Sequence, residues 1–156
     1  LLDHALDRLA AAGVSHVAVT VHYLAQQIED HVVNRNDLAI SISNERAELL
    51  DSGGGVKQAV AGFPAAPCFI LNADSFWCAA DHTDFVYAGA ILAKPSLFTA
   101  EPAKVFSLNK LFDAAIAEGR LFGCVLDGLW LHVGTPDAIA EAEAAMDEFD
   151  RLPAKS

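Results

Sequence analysis

Asp51-Ser52-Gly53-Gly54-Gly55-Val56-Lys57-Gln58-Ala59-Val60 opens the stretch that decides the fold, and Cys68-Phe69-Ile70-Leu71-Asn72-Ala73-Asp74-Ser75-Phe76 closes it. The first half reads as a glycine loop followed by a short helix. Three successive glycines remove every Cβ from one turn, so backbone N–H groups can approach a flat or anionic ligand closely. The second half reads as a strand covered on both faces, because Cys68 to Leu71 is an apolar run between Pro67 and Asn72. Asp74 then leaves the carboxyl end of that strand, where open α/β sheets bind ligands. Taken singly, three glycines are more often a flexible turn, and an Asp after a strand is more often a cap. Their order is the informative part. Together they are expected to line one hollow at the rim of a mainly parallel sheet.

Outward from this stretch the same architecture continues. Residues 2–12 place Leu2, Ala5, Leu6, Leu9 and Ala10 on one helical face, with Gly13 as the stop. Val14 to Val21 alternates as a strand, residues 23–33 form a helix with Leu24, Ile28 and Val32 inward, and Leu38 to Ser43 alternates again. This helix–strand order is that of an α/β domain, a mainly parallel sheet with helices on its faces. C-terminal to Trp77, residues 78–84 read as a short polar bridge and Phe85 to Leu92 as a strand containing Gly89. Pro95 starts a turn or short helix. Ser107 caps a helix to about Glu118 that Gly119 ends. Leu121 to Leu126 and Leu129 to Val133 read as two short strands, and Pro136 begins a last helix to about Phe149. A single domain over residues 1–150 is expected, with a frayed tail at 151–156.

Composition limits the function. With 156 residues, 53% hydrophobic and 20% charged, the chain is globular. No apolar run reaches membrane-span length. A net charge of −11 repels nucleic acid and anionic membranes, so neither is expected as a partner. The ten Lys and Arg are scattered, so a triphosphate site needs Mg²⁺ or helix N-termini. Cys68, Cys78 and Cys124 have no metal-ligand spacing and point to a reducing, cytoplasmic setting. His4, His16, His22, His31 and His82 read as surface or capping residues. His132 differs, because it ends a strand in Trp130-Leu131-His132-Val133-Gly134-Thr135-Pro136. It reads either as a hydrogen-bonded strand residue or as a second group facing the cleft of Asp74.

Five segments in order carry a resemblance. Leu-Leu-Asp-His-Ala-Leu at the start, Asp51 to Gly55, Leu71-Asn72-Ala73-Asp74, Tyr87-Ala88-Gly89 and Trp130 to Pro136 resemble the sugar-1-phosphate nucleotidylyltransferases. Within that family they look like the branch of N-acetylmuramate-1-phosphate uridylyltransferases and mannose-1-phosphate guanylyltransferase-like proteins. The resemblance covers nearly all of residues 1–150. It implies a Rossmann-like, mainly parallel sheet with helices on both faces and the nucleotide at its centre, and transfer of a nucleoside monophosphate from UTP or GTP to a sugar 1-phosphate, with release of pyrophosphate. It also implies that Asp51, Gly53, Gly54 and Gly55 contact the nucleobase, and that Asn72, Tyr87, Ala88 and Gly89 lie at the sugar. By the same resemblance Asp74 is catalytic and holds Mg²⁺ on the phosphates, with His132 as a second metal residue where the family has an Asp.

Three departures qualify that expectation. The family's opening strand and its glycine-, arginine- and lysine-bearing loop have no counterpart here. Only about ten residues separate the Asp74 strand from the Tyr87 strand, where the family has several tens. A neutral imidazole at 132 offers no negative charge to Mg²⁺. The first two suggest parts of a longer chain joined without a break in numbering, impaired in catalysis for lack of the triphosphate grip. A chain without its central strand is also expected to pair with a copy of itself. The alternative reading is a non-catalytic domain that binds a sugar nucleotide in regulation or assembly. A glycosyltransferase is the third reading; those often carry two carboxylates flanking one residue, and Asp74-Ser75-Phe76 supplies one.

Overall fold

A computed structural model describes residues 1–80, 88–125 and 128–151. Its elements follow the order α1 (Leu2–Ala11), β1 (His16–Val21), α2 (Ala25–Val32), β2 (Ala39–Asn44), α3 (Asp51–Ala59), β3 (Cys68–Leu71), β4 (Ser75–Ala80), β5 (Ala90–Ala93), α4 (Ser96–Thr99), α5 (Leu108–Ala117), β6 (Gly128–His132) and α6 (Pro136–Arg151). Three two-stranded sheets form among the described residues: β1 with β2, β3 with β5, and β4 with β6. The chain clusters into two units. One holds Leu1–Ala5, Leu71–Ile91 and Gly123–Ser156, the other Leu6–Ile70 and Leu92–Phe122.

The larger unit begins as the hydrophobic pattern requires. α1 buries Leu6 and stops at Gly13, whose φ of 80° suits a residue without Cβ. β1 and β2 run parallel, in register from His16 opposite Ala39 to Val21 opposite Asn44. The crossover is α2, as parallel pairing demands. Arg35 ties α1 to the α2–β2 connection, reaching Asp7 and Asp37 at 2.6 Å each. Its guanidinium holds the Asp37 carboxyl below the usual range, chiefly by hydrogen bonding. Leu6, Val21, Val32, Leu38, Leu50, Val60, Phe98, Phe106 and Leu111 supply the buried apolar surface of this unit.

The glycine stretch corrects the loop expected there. Gly53, Gly54 and Gly55 lie inside α3, which starts at Asp51, and all three are buried. Glycine is a poor helix former, costing about 1 kcal/mol relative to alanine. Close approach of other groups outweighs that cost here. A Cβ on Gly53 would sit 2.4 Å from the Phe106 ring, one on Gly54 2.3 Å from the Lys104 carbonyl oxygen, and one on Gly55 2.5 Å from a Glu45 carboxylate oxygen. The strap from Glu101 to Leu108 therefore lies directly on the first turns of α3. It is fastened by Lys57, whose Nζ donates to the carbonyls of Glu101 and Ala103, and by Leu108 N–H donating to Ser52 Oγ at 3.0 Å. Lys110 and the Ala103 N–H hold the Glu101 carboxyl below its usual range.

In the other unit, β4 and β6 pair antiparallel with Ser75 opposite His132 and Trp77 opposite Trp130. α6 packs on β6 through Val133 and Ala142, flanked by Leu131, Ala138, Ile139 and Met146. Residues 78–80 thus belong to a strand and not to the polar bridge expected there. Cys-Ala-Ala has little alternation of its own, and pairing with β6 decides its state. The strand expected over Leu121 to Leu126 is also corrected. Residues 121–125 have no regular structure and are exposed, with Phe122 85% accessible. An apolar run alone did not suffice without a partner strand. Residues 81–87, and with them His82 and the start of the strand expected from Phe85, lie outside the described residues.

Because the Lys104 carbonyl is backbone and cannot move aside, Gly54→Ala is expected to cost about 1–3 kcal/mol. Gly62 has open space at its Cβ position, so Gly62→Ala is expected to be neutral or slightly stabilising. Urea unfolding of the two variants checks this; equal stabilities contradict the packing of the strap on α3.

Candidate functional site

The residues singled out in the sequence fall into two groups. The first surrounds the start of α3. Asp51 is exposed and has a φ of 62°, a left-handed conformation uncommon for a residue with a side chain. Its carboxylate accepts the N–H of Ser52 at 2.5 Å. The next two amides are engaged by the strap: Gly53 N–H and Gly54 N–H both donate to the Phe106 carbonyl, at 2.8 and 3.1 Å. Phe106 N–H returns a bond to the Leu50 carbonyl at 3.2 Å. The helix end is thus closed by protein backbone, leaving the Asp51 carboxylate as the exposed polar group of the turn.

Glu45 completes this group and was missed in the sequence. It reads there as part of a polar connection, yet it is only 8% accessible. Its carboxylate accepts the buried Leu50 N–H at 3.0 Å and lies against Gly55. Its own N–H donates to the Val21 carbonyl at 2.8 Å, extending the β1–β2 ladder. Glu45 therefore fixes both the chain's exit from β2 and its entry into α3. Only the requirement for a third glycine hints at it in the sequence.

The second group is held together by backbone bonds around β4 and β6. Asn72 N–H donates to the Gly89 carbonyl at 2.8 Å, and Val133 N–H donates to the Asp74 carbonyl at 2.8 Å. Those two bonds place Asn72 beside Gly89 and Asp74 beside the residue that follows His132. Asp74 and His132 are both exposed, and Gly89 is buried. Tyr87 lies outside the described residues. The His132 ring stacks with Trp130 at a centroid distance of 6.1 Å and an angle of 19°. Gly134 admits that ring closely, since a Cβ there would meet Nε2 at 2.8 Å. No group of three or more His, Cys, Asp or Glu able to hold a metal occurs among the described residues. Of the cysteines, Cys68 and Cys124 are free thiols, and burial pushes the Cys68 thiol up. Among the described residues no helix is long and apolar enough to cross a membrane.

No family model matches the chain. A curated relative, the N-acetylmuramate alpha-1-phosphate uridylyltransferase of Caulobacter vibrioides, is 30% identical over 204 residues, covering 95% of this chain and 84% of the relative. The chain belongs to the sugar-1-phosphate nucleotidyltransferase family. Two crystal structures of HddC from Yersinia pseudotuberculosis share the fold. One matches with a TM-score of 0.67 at 16% identity, over 93% of this chain and 83% of that one. The other, complexed with GMP-PN, matches with a TM-score of 0.68 at 17% identity, over 93% and 84%. The aligned span of 204 residues exceeds the 156 of this chain, so dozens of positions in the uridylyltransferase have no counterpart here.

Glu45→Ala leaves the buried Leu50 N–H without its acceptor and is expected to cost about 1–3 kcal/mol. Glu45→Gln keeps an acceptor oxygen and should lose less. Thermal denaturation of both variants tests this, and equal losses would show that the carboxylate's charge matters and not its hydrogen bond.

Proposed function

We propose that this chain transfers a nucleoside monophosphate from UTP or GTP to a sugar 1-phosphate. A phosphate oxygen of the sugar 1-phosphate attacks the α-phosphorus, the bond to the bridging oxygen breaks, and pyrophosphate leaves with that electron pair. No protein nucleophile is required, so the chain's task is positioning and charge neutralisation. The observation that carries this reading is the gathering of Asn72, Asp74, Ala88, Gly89 and His132 by the backbone bonds around β4 and β6, in a chain of this family.

Each residue has a part in it. Asp51 contacts the nucleobase through its exposed carboxylate. Gly53, Gly54 and Gly55 serve by their narrow backbone, because the first two amides already donate to Phe106. Asn72, Tyr87, Ala88 and Gly89 receive the sugar. Asp74 and His132 hold Mg²⁺. Mg²⁺ keeps several waters and takes one or two carboxylates plus phosphate oxygens, so an exposed Asp74 without a full protein cage fits it. When bound, the ion neutralises charge on the phosphates. His132 adds a neutral nitrogen donor and no charge.

The basic residues favour a metal-dependent reading. Arg35, Arg46, Lys104, Lys110, Arg120 and Arg151 are paired with carboxylates, and Lys57 is held by two carbonyls. With these seven side chains engaged, neutralisation of a triphosphate is assigned chiefly to Mg²⁺, and turnover is expected to be slow. The remaining parts of the proposal are a Rossmann-like organisation as one domain, a cytoplasmic location, and assembly of copies through an uncovered strand edge.

Release of pyrophosphate from UTP or GTP with a panel of sugar 1-phosphates tests the reaction. Asp74→Asn is expected to lower turnover by about 100-fold or more. In thermal shift, Asp74→Ala should abolish the Mg²⁺-dependent part of any nucleotide stabilisation. Nucleotide binding without turnover for every sugar 1-phosphate would instead favour a sugar-nucleotide-binding domain without catalysis.

A further inference from the structure

Trp130 is the residue of the second group to which no role has yet been given. It lies two positions before His132 on β6, so both side chains leave the same face of the strand. Three observations single it out. Its indole N–H donates to the Ala88 carbonyl at 3.2 Å, across 42 residues of chain. Its ring stacks with the His132 imidazole. It does this while 40% accessible, at a place where burial alone would not hold a tryptophan.

From this geometry we infer that Trp130 is a positioning residue for the sugar 1-phosphate: one indole fixes both the Ala88–Gly89 segment and the His132 ring. The inference rests on the reading that Ala88 and Gly89 receive the sugar and that His132 is a metal residue beside them. Physically, the two attachments are independent. The N–H bond sets where the Ala88 carbonyl lies relative to β6. The stack sets the plane of the imidazole, which Gly134 accommodates by having no side chain to collide with Nε2. Aromatic rings at this separation attract one another when offset. A tryptophan can supply both attachments because its ring carries a single donor at one edge. Phenylalanine supplies only the stack, and alanine neither.

The Ala88 bond serves the sugar residues alone, whereas the stack holds His132, which the proposed function also places at the nucleotide's phosphates. Trp130→Phe breaks only the bond and is expected to raise the KM for the sugar 1-phosphate about threefold to tenfold, the usual result of losing one neutral hydrogen bond. Trp130→Ala should raise it further. In Trp130→Phe the KM for the nucleoside triphosphate and its binding in the absence of sugar should stay as in the wild type. A residue that merely stabilised the fold would shift both substrates together. The ring signals of His132 in proton–carbon NMR spectra, assigned by their loss in His132→Gln, give a readout that needs no activity. They should stay close to their wild-type positions in Trp130→Phe and move in Trp130→Ala. Equal losses for both substrates in Trp130→Phe, or an unchanged sugar 1-phosphate KM in both variants, would overturn the inference. Unmoved His132 signals in Trp130→Ala would also overturn it. Should the wild type neither bind nor turn over any sugar 1-phosphate, the proposed function fails, while the NMR comparison still decides whether Trp130 orients His132.

Discussion

One carbonyl oxygen organises the start of α3. The Phe106 C=O accepts from both Gly53 and Gly54, and a helix N-terminus otherwise leaves such amides without intrahelical partners. To deliver that oxygen, the strap must lie against the helix more closely than any side chain allows. Three glycines follow from this constraint, with Phe106, Lys104 and Glu45 each occupying the space of one missing Cβ. The bonds of Lys57 to the strap carbonyls and of Leu108 to Ser52 then follow from the same contact. Glu45 plays the matching part on the β2 side, where a buried carboxylate is tolerated because it accepts a buried backbone N–H.

Much of this was legible in the residues. The alternation of Val17, Val19 and Val21, the strand at Cys68 to Leu71, the stop at Gly13 and the Ser107 cap all reappear in the structure. That strand is not covered on both faces as expected, since Phe69 is 58% accessible. These signals are local, so sequence patterns carry them. The glycine helix and β4 depend on partners distant in the chain. Gly53 to Gly55 lose their loop character only because residues 104–106 return to cover them. Cys78 to Ala80 extend only because β6 offers a ladder. The apolar run from Leu121 shows the converse, since without a partner it stays irregular.

The candidate site divides along the same line. Asp74 and His132 stood out because a carboxylate and an imidazole at strand ends are chemically conspicuous. Glu45 and Trp130 did not, although Glu45 joins the exit of β2 to the entry of α3 and Trp130 joins β6 to Ala88. Their importance lies in what they touch, and that is set by tertiary pairing. Family membership supplies the reaction class, while the arrangement of this chain's own residues supplies the division of labour proposed within it. Glycines first read as an open cradle become the floor of a packed turn, and in the proposed function the polar contact is given to Asp51.

That reassignment can be tested by amide hydrogen exchange at Gly53 and Gly54, measured by NMR with and without nucleotide. The account predicts slow exchange in both conditions, at the level of the β1–β2 ladder, because the strap already holds both amides. Rapid exchange in the free protein that nucleotide then suppresses would contradict it, and would restore the glycines as an open anion or base cradle.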